Sequence, residues 1–82
     1  MIVLEVYVPS VEGSFDFEVA ESILVADFIE KVSDIVSRKI GSDTGFEEDK
    51  AMVFDYVGER PLDKRVTLKE NGITDGSKLI VV

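Results

Sequence analysis

The chain contains no cysteine and no histidine, and it has only two prolines. Without cysteine there is no disulfide framework, no thiolate metal site and no cysteine nucleophile. Without histidine the usual imidazole acid, base and metal ligand is missing. Basic residues are also scarce. Nine lysines and arginines stand against 17 aspartates and glutamates, a net charge of −8. That balance repels phosphate backbones and anionic membrane surfaces, so neither nucleic acid nor a membrane is an expected partner. No apolar run approaches the roughly 18 residues of a membrane span. The opening MIVLEVYVP lacks a basic region and alternates like a strand, unlike a signal peptide. An enzyme would have to work with carboxylates alone in a cleft that 82 residues hardly provide. No catalytic, cofactor-binding or metal-binding residue is therefore assigned. The expectation is a cytoplasmic domain spanning residues 1–82, with another protein as its partner.

What is present is ordinary globular composition, 45% apolar and 32% charged, which excludes disorder. The most ordered stretch is VADFIEKVSDIVSRKI, residues 25–40. Val25, Phe28, Ile29, Val32, Ile35, Val36 and Ile40 recur at threes and fours, which predicts an amphipathic helix. Asp27–Lys31 and Asp34–Arg38 are acid-before-base pairs on its wet side, each worth about 0.2–0.5 kcal/mol. Gly41 suits a left-handed C-terminal cap. The start is weaker, because Leu24 or Ile23 falls at the N-cap and offers no side-chain acceptor. A single amphipathic helix has to bury its stripe, and the remainder reads as strand, so its partner is a sheet.

Ile2, Leu4, Val6 and Val8 alternate with Val3, Glu5 and Tyr7, a first strand with even positions inward and Pro9 ending it. Phe15, Phe17 and Val19 alternate with Ser14, Asp16 and Glu18, and the short link between the two strands predicts an antiparallel hairpin. After the helix, GSDTGFEEDK (residues 41–50) has no periodicity and reads as a solvated loop. Its Asp43, Glu47, Glu48 and Asp49 match no calcium-loop spacing. Ala51–Val57 reads as a third strand, with Met52 and Phe54 inward and Val53 and Asp55 outward. Leu62 anchors a short edge piece, and Thr67-Leu68-Lys69-Glu70 fits a capping box around one helical turn. Asp75-Gly76 turns the chain into a last strand, Lys78–Val82, with Leu79 and Val81 inward. LIVV, apolar on both faces, fits either a central strand or an exposed sticky one.

Strand, strand, helix, strand, short strand, turn, strand is the order of a β-grasp: α+β, a mixed four- to five-stranded sheet on one helix. AMVFDYVGERPL and VTLKENGITDGSKLIVV resemble the third strand and the ending of the ubiquitin-like superfamily. Within it the chain is most similar to the YukD-like accessories of type VII (ESX-type) secretion. The resemblance implies a non-catalytic adaptor that meets a protein partner, a component of a membrane-bound secretion machine. A Ras-binding-like or PB1-like adaptor, using the acids of Asp43–Asp49, is the alternative. Conjugated modifiers and sulfur carriers need a flexible Gly-Gly tail, whereas this sequence finishes Leu79-Ile80-Val81-Val82, so neither activity is expected. Iron–sulfur ferredoxins share the β-grasp core but require cysteines.

Alternation places Tyr7, Val53, Ile80 and Val82 on the sheet face away from the helix, and the resemblance puts the last three where ubiquitin carries its main recognition patch. Contiguous apolar surface facing water marks an interface, and tyrosine is enriched at hot spots. Glu5, Asp16, Glu18 and Asp55 are expected to rim that patch and steer a basic partner. A register slip of one residue, or loop 41–50 folding over this face, would hide the patch instead.

Overall fold

The computed structural model describes all 82 residues. Strands β1 (Ile2–Val8) and β2 (Gly13–Val19) form an antiparallel hairpin closed by a short 3-10 turn at Pro9–Val11. Helix α1 (Val25–Ile40) follows, then β3 (Val53–Asp55), β4 (Arg60–Pro61) and β5 (Lys78–Val81). The sheet order is β2-β1-β5-β3-β4. β1 and β5 run parallel and every other neighbour is antiparallel. This is the β-grasp that the element order implied.

Helix and sheet bury the stripes that the periodicity assigned. Leu4, Val6 and Val8 from β1 and Leu79 and Val81 from β5 meet Val25, Phe28, Ile29, Val32 and Val36 of α1 in one core. Phe28 stands edge-on to Phe17 of β2, with ring centroids 6.1 Å apart, a favoured aromatic geometry. Ile35 is only half-buried and Ile40 is exposed, so the apolar stripe is less covered toward the helix C-terminus. Gly41 caps that end in the left-handed region (φ 71°), its N–H donating to the Ser37 carbonyl.

The helix start solves its lack of a capping side chain with backbone from elsewhere. Leu24 makes no side-chain cap. Instead the Val25 N–H donates to the Val66 carbonyl at 3.0 Å and the Ala26 N–H to the Lys64 carbonyl at 3.2 Å. Two of the orphan donors of the first turn are thus satisfied by the segment after β4. That segment is itself stapled. Thr67 and Glu70 exchange the reciprocal capping-box bonds, 3.1 and 3.0 Å. Asn71 is buried, its amide donating to the Asp63 and Thr67 carbonyls while its carbonyl oxygen accepts from the Asp63 N–H.

Phe28 lies fully buried at the centre of the helix–sheet contact. Phe28→Ala is expected to lower unfolding free energy by about 3–5 kcal/mol, read from urea unfolding. An unchanged midpoint would contradict this packing.

Candidate functional site

The side of the sheet away from α1 is divided into an apolar half and an acidic half. Strand pairing builds the apolar half. Tyr7 lies beside Ile80, and Ile80 lies opposite Phe54, which in turn faces Pro61. Residues directly opposite one another project to the same side, so Tyr7, Ile80 and Phe54 form a transverse row over three strands, each half-buried. One step along, Met52 and Val82 exchange two backbone hydrogen bonds, 2.8 and 2.9 Å, and both side chains are exposed. Beyond the row, Tyr56 and Val57 stand out on the β3–β4 turn, Val57 at 86% exposure. Phe54, Asp55, Tyr56, Glu59 and Ile80 border a shallow depression of about 340 Å³.

Val53 does not belong to this surface. It is completely buried, opposite Val81 on the helix side. The strand phase expected from the sequence is therefore off by one: Val53 points in, Met52 and Phe54 point out, and the strand is only three residues long. The reason is local. Ala51-Met52-Val53-Phe54 is apolar at four successive positions, so alternation carries no phase. Pairing with β5, whose Leu79 and Val81 face the core, decides it. Phe54 is the residue that sequence reasoning missed.

Asp55 is also displaced from the expected rim. It pairs with Leu79, and its carboxylate turns into the hairpin, accepting from the Val57 N–H at 3.2 Å with Arg60 3.9 Å away. Its side chain is only 19% exposed. The true acidic half comes from the first hairpin, where Glu5 lies opposite Asp16, and Glu18 lies opposite Val3. Asp16 and Glu18 are exposed. Lys78 marks the boundary between the halves. Its ammonium sits 3.5 Å from the Glu5 carboxylate and 4.6 Å from the Tyr56 ring centroid, an ion pair and a cation–π contact together.

Loop 41–50 is anchored rather than simply solvated. Thr44 is buried, with its carbonyl accepting from the Ser10 hydroxyl, and Phe46 packs against the core. Lys64 ties down the end of the loop through the Ala51 carbonyl at 2.8 Å. Two of the four acids of this loop are engaged locally: Asp43 accepts from the Gly45 N–H, and Glu47 pairs with Lys50 at 3.1 Å, while Glu48 and Asp49 are exposed. Phe46, Glu47 and Lys50 of the loop border a shallow depression together with Val82 of the outer face. The Asp63 carboxyl is held below its usual range by hydrogen bonds from the Arg65 side chain and backbone, and the Arg65 guanidinium is raised in turn by that side-chain bond. Both lie outside the outer face.

A family model described as "WXG100 protein secretion system (Wss), protein YukD" matches residues 2–81. The chain belongs to the YukD family. No curated protein matches this YukD-family chain. Its fold is shared with three solved ubiquitin-like proteins. One is the N-terminal ubiquitin-like domain of the 4931431F19Rik protein, 23% identical at a TM-score of 0.75, covering 99% of this chain and 72% of that one. The ubiquitin-like domain of Arabidopsis thaliana At2g32350 is 24% identical at 0.73, covering 99% and 74%. Ubiquitin from Caldiarchaeum subterraneum is 20% identical at 0.73, covering 98% and 89%. At these identities the likeness carries the fold alone. No helix is long and apolar enough to cross a membrane.

The inverted phase of β3 has a direct consequence. Val53→Asp is expected to unfold the protein, since an unpaired buried charge costs several kcal/mol. Phe54→Asp should cost only about 1–2 kcal/mol, because that ring is half-buried. Paired urea titrations check this, and similar losses in both variants would contradict the register.

Proposed function

We propose that this YukD-family chain is a non-catalytic, cytoplasmic interaction module of a WXG100 secretion system. It docks the apolar half of its outer sheet face onto a protein component of the membrane-bound secretion machinery. One observation carries the reading: Tyr7, Ile80 and Phe54 form a continuous row on the side that the helix does not cover, extended by Val82 and Met52. Tyr7 and Phe54 are rigid rings suited to anchoring an interface, and Ile80 fills the gap between them. The family supplies the system in which such a module works.

The adjoining carboxylates give the docking a preferred orientation. Glu5, Asp16 and Glu18 lie to one side of the row, so a partner with basic residues at the matching position is steered into a single pose. Lys78 is held by Glu5 and Tyr56, which keeps this cation from neutralising the more distant acids. In the alternative of an acidic docking loop, Asp43 and Glu47 already have contacts within their own segment, so Glu48 and Asp49 would be its free acids.

The test is co-expression with the membrane components of the same secretion system, followed by affinity capture of each. Ile80→Asp and Phe54→Asp are expected to keep the native circular dichroism spectrum and lose capture by about tenfold or more. Reversing Asp43, Glu47, Glu48 and Asp49 to lysine should leave capture intact. If both outer-face variants capture the component as the unmodified protein does, the docking face is wrong. If only the loop variant fails, the acidic-loop reading replaces it.

A further inference from the structure

We propose that the outer edge of β2 is a pairing site for an extended, basic segment of a protein partner, which adds to the sheet as a sixth strand. β2 is the terminal strand, and its only ladder is with β1. None of the backbone hydrogen bonds outside the ladders involves residues 13–19. Along seven residues, the N–H and C=O groups that point away from β1 therefore have no partner within the chain. The opposite edge is closed by contrast. β4 has two residues, and one of them is Pro61, which has no N–H to offer. A long open edge is a template for strand addition.

The two sides of β2 specify the occupant. On the outer side Ser14, Asp16 and Glu18 are exposed, with Glu5 opposite Asp16 one strand inward. Residues 1–30 contain no lysine or arginine at all, so the whole first hairpin presents negative charge. Asp16 and Glu18 form no ion pair, and Lys78 is occupied by Glu5. On the inner side Phe17 is buried and Phe15 only half-buried, leaving part of that ring to be covered. A strand with lysine or arginine outward and aliphatic residues inward matches both sides. A second copy of this chain does not, because a two-fold antiparallel pairing of β2 with β2 centred on Phe17 sets Asp16 of each copy opposite Glu18 of the other. Like charges at opposed positions destabilise a ladder.

The probe is the peptide acetyl-Lys-Val-Lys-Val-Lys-Val-Lys-amide, titrated into ¹⁵N-labelled protein. Companions are the analogue with glutamate in place of lysine and two versions N-methylated on alternate residues, one for each phase. Amide shift changes and slowed hydrogen exchange should concentrate in residues 13–19. Affinity should fall by about tenfold or more with the glutamate analogue and with Asp16→Lys plus Glu18→Lys. One N-methylated phase should bind as weakly, since it removes the donors that face β2. Phe54→Asp should bind the peptide normally, which separates this site from the apolar row. The proposal is overturned if the lysine peptide does not bind or if its shifts centre on Tyr7, Phe54 and Ile80. It is equally overturned if both N-methylated versions bind as the parent does.

Discussion

The position of β5 between β1 and β3 is the constraint on which the remaining structure rests. It pairs parallel with β1 on one side and antiparallel with β3 on the other. Leu79 and Val81, both completely buried, fix which of its faces meets the helix. That choice passes through the ladders to its neighbours: Val6 and Val53 are drawn inward, Tyr7 and Phe54 outward. A parallel pair formed by the first and last strands also requires a long crossover. The chain supplies it with α1, which closes one face of the sheet and leaves the other to water. The apolar outer row is thus a product of topology as much as of composition.

The helix and the first hairpin were legible because each carries a phase. Threes and fours mark residues 25–36, strict alternation marks residues 14–19, and Glu5 sets the phase of residues 2–8. β3 was not legible in phase, since four consecutive apolar residues fit either face and only the partner strand distinguishes them. The expected patch survived in Tyr7, Ile80 and Val82 as a set of outward positions, lost Val53 to the core and gained Phe54. Asp55 illustrates a different limit. A carboxylate beside a tight turn competes for backbone donors, and the Val57 N–H takes it out of the expected rim.

The segment after β4 shows why some structural residues leave no sequence signal. Asn71 reads as half of an Asn-Gly turn, yet its side chain is buried and satisfied at three points. Those bonds hold Asp63 and Thr67 in place, on either side of the Lys64 and Val66 carbonyls that receive the first helical N–H groups. A capping deficiency at Leu24 is thereby repaired some 40 residues away. Helix start, capping-box turn and Asn71 form one unit, and a fault in any of them exposes unpaired buried donors, each costing about 1–3 kcal/mol. Thr44 belongs with this group: its burial follows from the Ser10 contact, which no local pattern announces.

The charge pattern of the outer face separates general solubility from recognition. Solubility is served by charge anywhere on the surface, and a lysine is the more usual guard of an open edge. At position 16 a lysine would also have placed an opposite charge beside Glu5, stabilising the hairpin. The chain instead sets Asp16 directly opposite Glu5, a like-charge pair that costs stability. It then holds Lys78 on the far side of Glu5, where it relieves that residue without reaching the edge. A local conflict of this kind in an otherwise consistent sheet is what the proposed basic partner would relieve. On that proposal, acids that neighbour an apolar row and an unpaired strand edge favour an incoming basic protein segment over a second copy of the chain.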